Sequence, residues 1–257
     1  MFWKKQKIPP SKTIMDYAVG YVLKDAKGNL YYYNADYSFS EHVFRFGYTY
    51  DSPDDLEFFL TGPKGKLMLD IGSNHGVFSI FLNKKFERII AFEPEPNNFN
   101  IIEKNIDLNK LRNVELIGSA VSNENLASVP FFVLTSDGHH SLGKVATSEF
   151  KETTYVRSIR LDSFFQERNI SNIDLLKVDV EGFELNVFEG AGDFLHKEFI
   201  NRIFFEISKV PLESIERCAS SIGLYLEERG YEISDISGKR FSSKELDEVY
   251  FGNFIAS

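Results

Sequence analysis

Two acidic residues and two glycines in the first half of the chain have the spacing of a nucleoside-binding turn. Asp70 ends an apolar, strand-like run, and Gly72 and Gly76 open an apolar-periodic helix. Glu93 ends a second buried run, 23 residues after Asp70. Glycine lets the backbone turn sharply and approach a ligand, and a carboxylate at the end of the second strand can accept hydrogen bonds from a ribose diol. The pattern therefore predicts a nucleoside site in a βαβ unit.

The details of this turn favour one nucleoside ligand. A pyrophosphate-binding turn needs the pattern G-x-G-x-x-G, whereas residues 70–76 read D-x-G-x-N-x-G. The third glycine is missing, and Asp70 would repel a pyrophosphate but could pair with the amino group or the sulfonium of S-adenosylmethionine. We therefore prefer S-adenosylmethionine to a nicotinamide or a flavin. The alternative is a structural turn whose glycines serve only the backbone.

A second group of charged residues lies in segment 174–182. Lys177, Asp179 and Glu181 alternate, so in a continuing strand they would share one face, and burying three charges in a parallel sheet would be costly. Their burial is understandable at a functional edge of the sheet. The structural alternative is a buried ion pair between Lys177 and Asp179, with Glu181 capping a helix that begins near Gly182.

The elements that must position these residues follow from hydrophobic periodicity. Strand-like and helical segments alternate over residues 67–117 and again over 173–207, which predicts a mostly parallel sheet with helices on both faces. A single helix is predicted over 212–226, ending before Gly230. Segments 231–236 and 248–256 should pair antiparallel because their connection is short.

The 257 residues are predicted to form an N-terminal arm and β-rich cap over residues 1–60 and a main domain over 61–257. A turn at 25–29 separates two strand-like runs of the cap, and a short helix is predicted after Pro53. A flap at about 129–161, two strand-like runs around a polar segment, is predicted at the carboxyl edge of the sheet. The cap aromatics could stack on sugar rings, fill a small core or form a homodimer interface.

Composition limits the partners and the location. A net charge of -9 and a pI near 5.2 provide no broad basic field, which argues against a nucleic acid partner. Cys218 is the one cysteine, which excludes an intrachain disulfide and fits a reducing compartment, and a core position is predicted for it. No run approaches the roughly 18 apolar residues of a membrane span, and prolines interrupt the basic N-terminus before any signal-like apolar segment. We therefore expect a cytoplasmic protein.

Four segments, taken in order, resemble the FkbM-type methyltransferases. They are residues 70–76, 92–94, 161–162 and 177–182, and the likeness extends from about residue 43 to residue 208. The resemblance implies a class I methyltransferase (Rossmann-like) fold, an α/β three-layer sandwich whose seven-stranded, mostly parallel sheet has the order 3-2-1-4-5-7-6 with the seventh strand antiparallel. It also implies transfer of a methyl group from S-adenosylmethionine to a hydroxyl of a sugar, a glycoconjugate or a related natural product.

The resemblance further implies residue roles. The turn would surround the methionine part of the cofactor, Glu93 would hold the ribose hydroxyls, and Asp179 and Glu181 would face donor and acceptor. Ser73 and His75 depart from the family pattern, in which alanine and an apolar residue are common, and His75 could contact the cofactor or cap the helix. The predicted cofactor-binding residues are Asp70, Gly72, Ser73, Asn74, His75, Gly76 and Glu93.

Transfer to an alcohol needs help with the hydroxyl proton, whose pKa is of the order of water's roughly 15.7. A base or a metal could supply that help. The predicted catalytic residues are Asp179, Glu181, His140 and Glu206, with His139 as an alternative in the same loop. The three carboxylates could also bind a divalent metal, but their spacing is not diagnostic, and we assign no metal ligands.

Two other functions remain open from the sequence. An NAD(P)-dependent oxidoreductase on a Rossmann sheet is disfavoured by the absent G-x-G-x-x-G pattern. A non-catalytic, Rossmann-like interaction domain is disfavoured because acidic residues stand at Asp70, Glu93, Asp179 and Glu181.

Overall fold

The computed structural model describes residues 11–12, 20–24, 28–34, 62–134, 140–143 and 150–257. The short helix predicted after Pro53, most of the predicted cap and His139 lie outside these ranges. The strands are β1 (Ser11–Lys12), β2 (Gly20–Lys24), β3 (Leu30–Asn34), β4 (Gly65–Ile71), β5 (Phe86–Phe92), β6 (Val114–Ile117), β7 (Ala120–Val121), β8 (Leu126–Leu134), β9 (Phe150–Ile159), β10 (Leu175–Val178), β11 (Ile203–Ser208), β12 (Ile233–Asp235), β13 (Arg240–Phe241) and β14 (Phe251–Ala256). The helices are α1 (Val77–Phe81), α2 (Pro96–Asn109), α3 (Leu161–Arg168), α4 (Glu184–Ala191), α5 (Lys209–Ser214) and α6 (Ala219–Glu227), with 3-10 turns at Gly192–Phe194 and Ser243–Glu248.

The main sheet has the strand order β13-β12-β14-β11-β10-β4-β5-β6 within the described ranges. Strands β11, β10, β4, β5 and β6 are parallel to one another, whereas β14 is antiparallel to β11 and to β12. The α/β class I methyltransferase fold is thus confirmed, including its order and its antiparallel seventh strand. The antiparallel pairing predicted for the last two segments is also confirmed.

The predicted number of strands was wrong, because the described part of the chain places eight strands in the main sheet and not seven. The additional strand, β13, contains two residues and pairs antiparallel with β12. The turn between them is closed by the carboxylate of Asp235, which accepts hydrogen bonds from Ser237 Oγ (2.7 Å) and Lys239 N (2.9 Å). A strand this short has too few residues for an alternating pattern to reveal it.

The main sheet is covered on both faces, as an alternating βα chain requires. In β4, Leu67, Leu69 and Ile71 belong to the larger core cluster, which includes side chains of α3, α4 and α6. Met68 points to the opposite face and packs with the aromatic side chains of α1. Because both faces of β4 are buried, its C-terminal end is held rigidly.

A smaller sheet of order β7-β9-β8 lies between β6 and α3 in the sequence. Strands β8 and β9 pair antiparallel, in agreement with the predicted hairpin, although the strands begin and end a few residues from the predicted limits. Leu161 belongs to α3 and not to the hairpin. An isolated bridge joins Phe132 to Ser141 and brings segment 140–143 back along β8.

Strands β1, β2 and β3 form a third, antiparallel sheet. Two asparagines of α2 bind its last strand: Asn109 bonds both backbone groups of Leu30, and Asn105 Oδ1 accepts a hydrogen bond from Tyr32 N at 2.5 Å. The division into a cap and a main domain stays a prediction.

The last helical region differs from its prediction. The apolar stripe over 212–226 belongs to two helices, α5 and α6, because Glu216 between them adopts a left-handed φ of 57°, a conformation that an α-helix cannot include. The core position predicted for Cys218 was wrong, since this residue is exposed at the start of α6. Of the helices in the described ranges, none is both long and apolar enough to cross a membrane.

Candidate active site

An open cleft lies where the parallel strands β4, β5 and β10 end. Its volume is about 590 Å³, part of which is open to solvent. Six of the eleven predicted site residues line it: Gly72, Asn74, Glu93, His140, Asp179 and Glu181. The remaining walls are Ile71, Phe92, Pro94, Asn98, Ser119, Ala120, Val121, Phe131, Leu142, Val180 and Phe183.

The glycines after β4 are required by close packing. Gly72 has φ 73°, and a Cβ built on it would lie 1.8 Å from the backbone oxygen of Asp179. Gly76 has φ 75°, and its Cβ would meet Ile102 at 3.0 Å. The turn after β4 therefore passes directly against the loop after β10, and a side chain at Gly72 would push the two apart.

Glu93 connects the first turn to the end of β5. Its Oε2 accepts a hydrogen bond from Asn74 N at 2.8 Å, and its Oε1 accepts one from Glu95 N at 2.9 Å. Burial raises the pKa of Glu93 to about 8, although both backbone hydrogen bonds act to lower it. A carboxyl group can form more hydrogen bonds than these two, so Glu93 can hold the turn and still form hydrogen bonds with a diol in the cleft.

Asp70 is fully buried and does not line the cleft. Its Oδ2 accepts a hydrogen bond from Ser79 Oγ at 2.7 Å, and its Oδ1 lies 3.5 Å from Lys177 Nζ. The carboxylate faces a lysine that belongs to the neighbouring strand, and the cofactor contact expected for Asp70 stays a prediction.

Lys177 joins the two loops of the cleft from behind. Its Nζ donates to the backbone oxygen of Gly72 at 2.7 Å and lies 3.1 Å from Asp179 Oδ2. Burial acts to lower the pKa of Lys177, but the carboxylates of Asp179 and Asp70 outweigh it and raise the pKa above its ordinary value. The ion pair between Lys177 and Asp179, which the sequence offered as a purely structural alternative, is therefore present. It lies at the wall of the cleft.

Asp179 and Glu181 lie in a loop with unusual backbone geometry. Glu181 and Gly182 have φ values of 55° and 97°, so the strand alternation ends before Glu181. Helix α4 has Phe183 at its N-cap without a side-chain capping bond, so the capping by Glu181 that belonged to the structural alternative does not occur. Carboxylate oxygens of Asp179, Glu181 and Glu206 lie within 4.8 Å of one another, and these three residues could hold a divalent cation.

His140 reaches the cleft from the segment beside β8. Its Nδ1 accepts a hydrogen bond from Leu134 N at 3.1 Å, so the neutral ring carries its proton on Nε2. A ring in this state suits the donation of a hydrogen bond to a ligand better than the removal of a proton. The adjacent Ser141 donates from Oγ to the backbone oxygen of Glu181 at 2.9 Å, which ties this segment to the carboxylate loop.

Three predicted cofactor residues stand one layer behind the lining. Ser73 Oγ donates to the backbone oxygen of Asp70 at 2.7 Å, and Gly76 begins α1. His75 is buried, which lowers its pKa to about 4, although a hydrogen bond with Asn98 acts to raise it. Gly76 is the N-cap of α1 without a side-chain capping bond, so the alternative in which His75 caps the helix was wrong.

Sequence reasoning missed two polar residues of the site. Asn98 lines the cleft from α2, and Glu184 is buried in the first turn of α4 behind the loop of Asp179. Asn98 and Asn105 are seven residues apart, on the helix face that also buries Ile101 and Ile102. Polar residues on an apolar stripe are a signal that could have identified Asn98.

We expect the stability of the protein to fall between pH 6.5 and pH 8.5 because of Glu93. The folded state keeps this carboxyl protonated up to about pH 8, whereas the unfolded chain releases the proton near 4.5. The folded state thus binds more protons in this window, and stability is lost as the pH rises through the folded pKa. Integration gives a contribution from Glu93 of about 2 kcal/mol to the loss in the free energy of unfolding.

Urea unfolding at both pH values, with wild type and Glu93→Gln, measures this effect. The variant has one titrating carboxyl fewer and should lose about 2 kcal/mol less over the window. His75 does not interfere, because its lowered pKa affects stability only below about pH 6.5, where the sign is opposite. Equal losses in the two proteins would show that Glu93 is ionised throughout.

The arrangement can bind a ligand with a ribose and hold its reactive end near carboxylates. Gly72, Asn74 and Glu93 form one wall of the cleft, and Asp179 and Glu181 form the wall beside it. Apolar side chains such as Val121 and Phe131 complete the lining, which suits the flat face of a base. The cleft thus combines a nucleoside-type surface with groups that can accept a proton.

The family profile and three similar proteins that match this chain all carry the description methyltransferase. The sequence profile of the family described as the methyltransferase FkbM domain matches residues 70–233, more than half of the chain. Methyltransferase 1 of Beauveria bassiana is 27% identical over 164 residues, covering 56% of this chain and 66% of that protein. Methyltransferase sdnD of Sordaria araneosa is 26% identical over 202 residues, covering 67% and 76%. The hexuronic acid methyltransferase AglP of Haloferax volcanii is 27% identical over 141 residues, covering 55% of this chain and 55% of that protein. The matched segment thus spans just under two thirds of the Beauveria bassiana protein and about half of AglP.

Proposed function

The chain belongs to the FkbM methyltransferase family, and we propose that it transfers a methyl group from S-adenosylmethionine to a hydroxyl oxygen of a sugar, a glycoconjugate or a related natural product. The observation that carries the proposal is the shared cleft, in which Gly72, Asn74 and Glu93 face the same space as Asp179 and Glu181. Membership of a methyltransferase family also removes the reason to prefer an oxidoreductase.

The residues of the first wall fit this cofactor. Gly72 and Asn74 line the cleft, and Glu93 can form hydrogen bonds with the ribose diol. Asp70 would contribute indirectly, since it holds Lys177 and through it the carbonyl of Gly72.

The second wall would act on the acceptor. The sulfonium of S-adenosylmethionine supplies a methyl group that is already activated, so alignment of donor and acceptor provides much of the rate. Asp179 would accept the hydroxyl proton as the new C–O bond forms and the C–S bond breaks, which leaves the neutral thioether. Lys177 holds Asp179 in place, while Glu181 and Glu206, together with His140 as a hydrogen-bond donor, would orient the acceptor.

Charge and family relatives support the choice of acceptor class. A net charge of -9 opposes binding to a phosphate backbone, and one similar protein carries the name hexuronic acid methyltransferase. A sugar or glycan acceptor is therefore the best starting point. We also propose a cytoplasmic location, which the use of a single cysteine supports, and keep a homodimer as the oligomeric state to test.

The test is transfer of a trideuterated methyl group from labelled S-adenosylmethionine to D-glucose and to D-glucuronic acid, followed by mass spectrometry. We expect a labelled product that survives mild alkali, because an ether is stable where a methyl ester is hydrolysed. The two sugars differ in that D-glucuronic acid also offers a carboxylate. An alkali-labile product formed from D-glucuronic acid alone would contradict the hydroxyl acceptor, and a lack of product from both sugars would contradict this acceptor class.

A binding measurement serves as the control for the cofactor. At a hundredfold excess over its Kd, S-adenosylhomocysteine should add about 2.7 kcal/mol to the stability of the folded state. For a chain of this size that corresponds to a rise of roughly 5–10 °C in Tm. NADH at the same concentration should leave the Tm unchanged, and the reverse pattern would favour the oxidoreductase.

A further inference from the structure

Glu184 occupies a position that the proposed reaction has not yet used. It is buried in the first turn of α4, and its Oε1 accepts hydrogen bonds from Val180 N and Gly182 N, each at 3.2 Å. These two amides flank Glu181 in the loop that carries both carboxylates of the cleft. The side chain thus folds back from the helix and holds the loop that precedes it.

The loop needs these stabilising hydrogen bonds because its backbone conformation is unfavourable in energy. Glu181 has a left-handed φ of 55°, and Gly182 follows with φ 97°. A non-glycine residue in the left-handed region costs of order 1–3 kcal/mol and persists only where the surroundings over-determine it. On the cleft side, Ser141 Oγ donates a hydrogen bond to the carbonyl of Glu181. On the helix side, Glu184 accepts hydrogen bonds from the amides on either side of Glu181.

Resting on the function proposed above, we propose that Glu184 is a positioning residue, whose carboxyl group fixes loop 179–183 so that Asp179 and Glu181 face the acceptor. It does not line the cleft and touches no reacting atom. Its effect should therefore appear in turnover and not in affinity for the cofactor, whose own wall lies after β4 and β5.

The chemistry of the contact suggests how to separate the roles of charge and geometry. One oxygen of Glu184 accepts both hydrogen bonds, and a glutamine offers the same carbonyl oxygen. Burial raises the pKa of Glu184 to about 7, although the backbone hydrogen bonds act to lower it. Glu184→Gln therefore keeps the contact in a form close to the protonated carboxyl, whereas Glu184→Leu removes it at similar volume.

The first measurement is amide hydrogen exchange of the peptide that covers residues 179–184, which needs no acceptor. We expect exchange at least 10-fold faster in Glu184→Leu and within 3-fold of wild type in Glu184→Gln. Glu189→Leu is the matched control, since it removes a hydrogen bond between the same helix and Asn123 without touching the loop. Unchanged exchange in Glu184→Leu would overturn the proposal, whatever the outcome for the proposed reaction.

The second measurement divides the effect between steps, with the sugar that wild type methylates as acceptor. For Glu184→Leu we expect kcat to fall about 30-fold or more, with the Kd of S-adenosylhomocysteine within 3-fold of wild type, and rescue of kcat by Glu184→Gln. A loss of cofactor affinity equal to the loss of kcat would indicate a merely structural role and overturn the proposal. If wild type methylates neither sugar, the proposed reaction fails while hydrogen exchange still decides the role of Glu184.

Discussion

Replacing Asp179 by asparagine should reduce turnover by about a thousandfold, within the range of roughly 10²–10⁴ that a positioned general base contributes. The amide has nearly the same shape but cannot take the hydroxyl proton. Affinity for S-adenosylhomocysteine should stay within about 3-fold of wild type, because the residues expected to hold the cofactor lie after β4 and β5. The measurements are the initial rate of methyl transfer and the Kd of S-adenosylhomocysteine for the same preparations.

Two controls make this result specific. Asp193→Asn makes the same chemical change at an exposed position of the 3-10 turn after α4 and should leave the rate unchanged. Exhaustive chelation of the wild type separates two explanations, because Asp179 belongs to the carboxylate group that could hold a cation. A rate unaffected by chelation supports a base, and a rate abolished by it would assign Asp179 to a metal. Near-normal turnover of Asp179→Asn would contradict both roles.

The convergence of the site was predictable because it depends on topology. The carboxyl ends of parallel strands meet at one edge of a sheet, so Gly72, Glu93 and Asp179 had to approach one another once the alternation of strands and helices was recognised. The glycine pattern was informative for the same reason, since a Cβ at Gly72 would collide with the carbonyl of Asp179. These features follow from backbone periodicity, which a single sequence displays.

The orientation of individual side chains was not predictable from the sequence. The sequence identifies Asp70 as an acidic residue at a strand end, but not that its carboxylate turns inward to Lys177, 107 residues away. Glu184 was missed because its contact runs backwards from the helix to the preceding loop. The break at Glu216 was missed because a continuous apolar stripe predicts a continuous helix. Each of these depends on tertiary contacts that overrule a local pattern.

Lys177→Met should lower the free energy of unfolding by about 3–5 kcal/mol, the cost of removing one partner from a buried ionic group. Lys177 is 2% exposed and lies between Asp70, which is fully buried, and Asp179, which is 33% exposed. Methionine fills a similar volume but offers no donor to either carboxylate or to the carbonyl of Gly72. Urea unfolding near neutral pH measures the loss.

Two further variants show whether an unpaired carboxylate at Asp70 causes the expected loss of stability in Lys177→Met. Lys209→Met removes a half-exposed lysine whose distance to Glu213 is 3.9 Å, and surface pairs of this kind contribute about 0–1 kcal/mol. Adding Asp70→Asn to Lys177→Met should restore part of the stability, because the amide can still accept the hydrogen bond from Ser79 and carries no charge that needs a partner. If the double variant is no more stable than Lys177→Met, or if that single variant loses less than about 1 kcal/mol, the ammonium of Lys177 cannot be what compensates the buried carboxylate of Asp70.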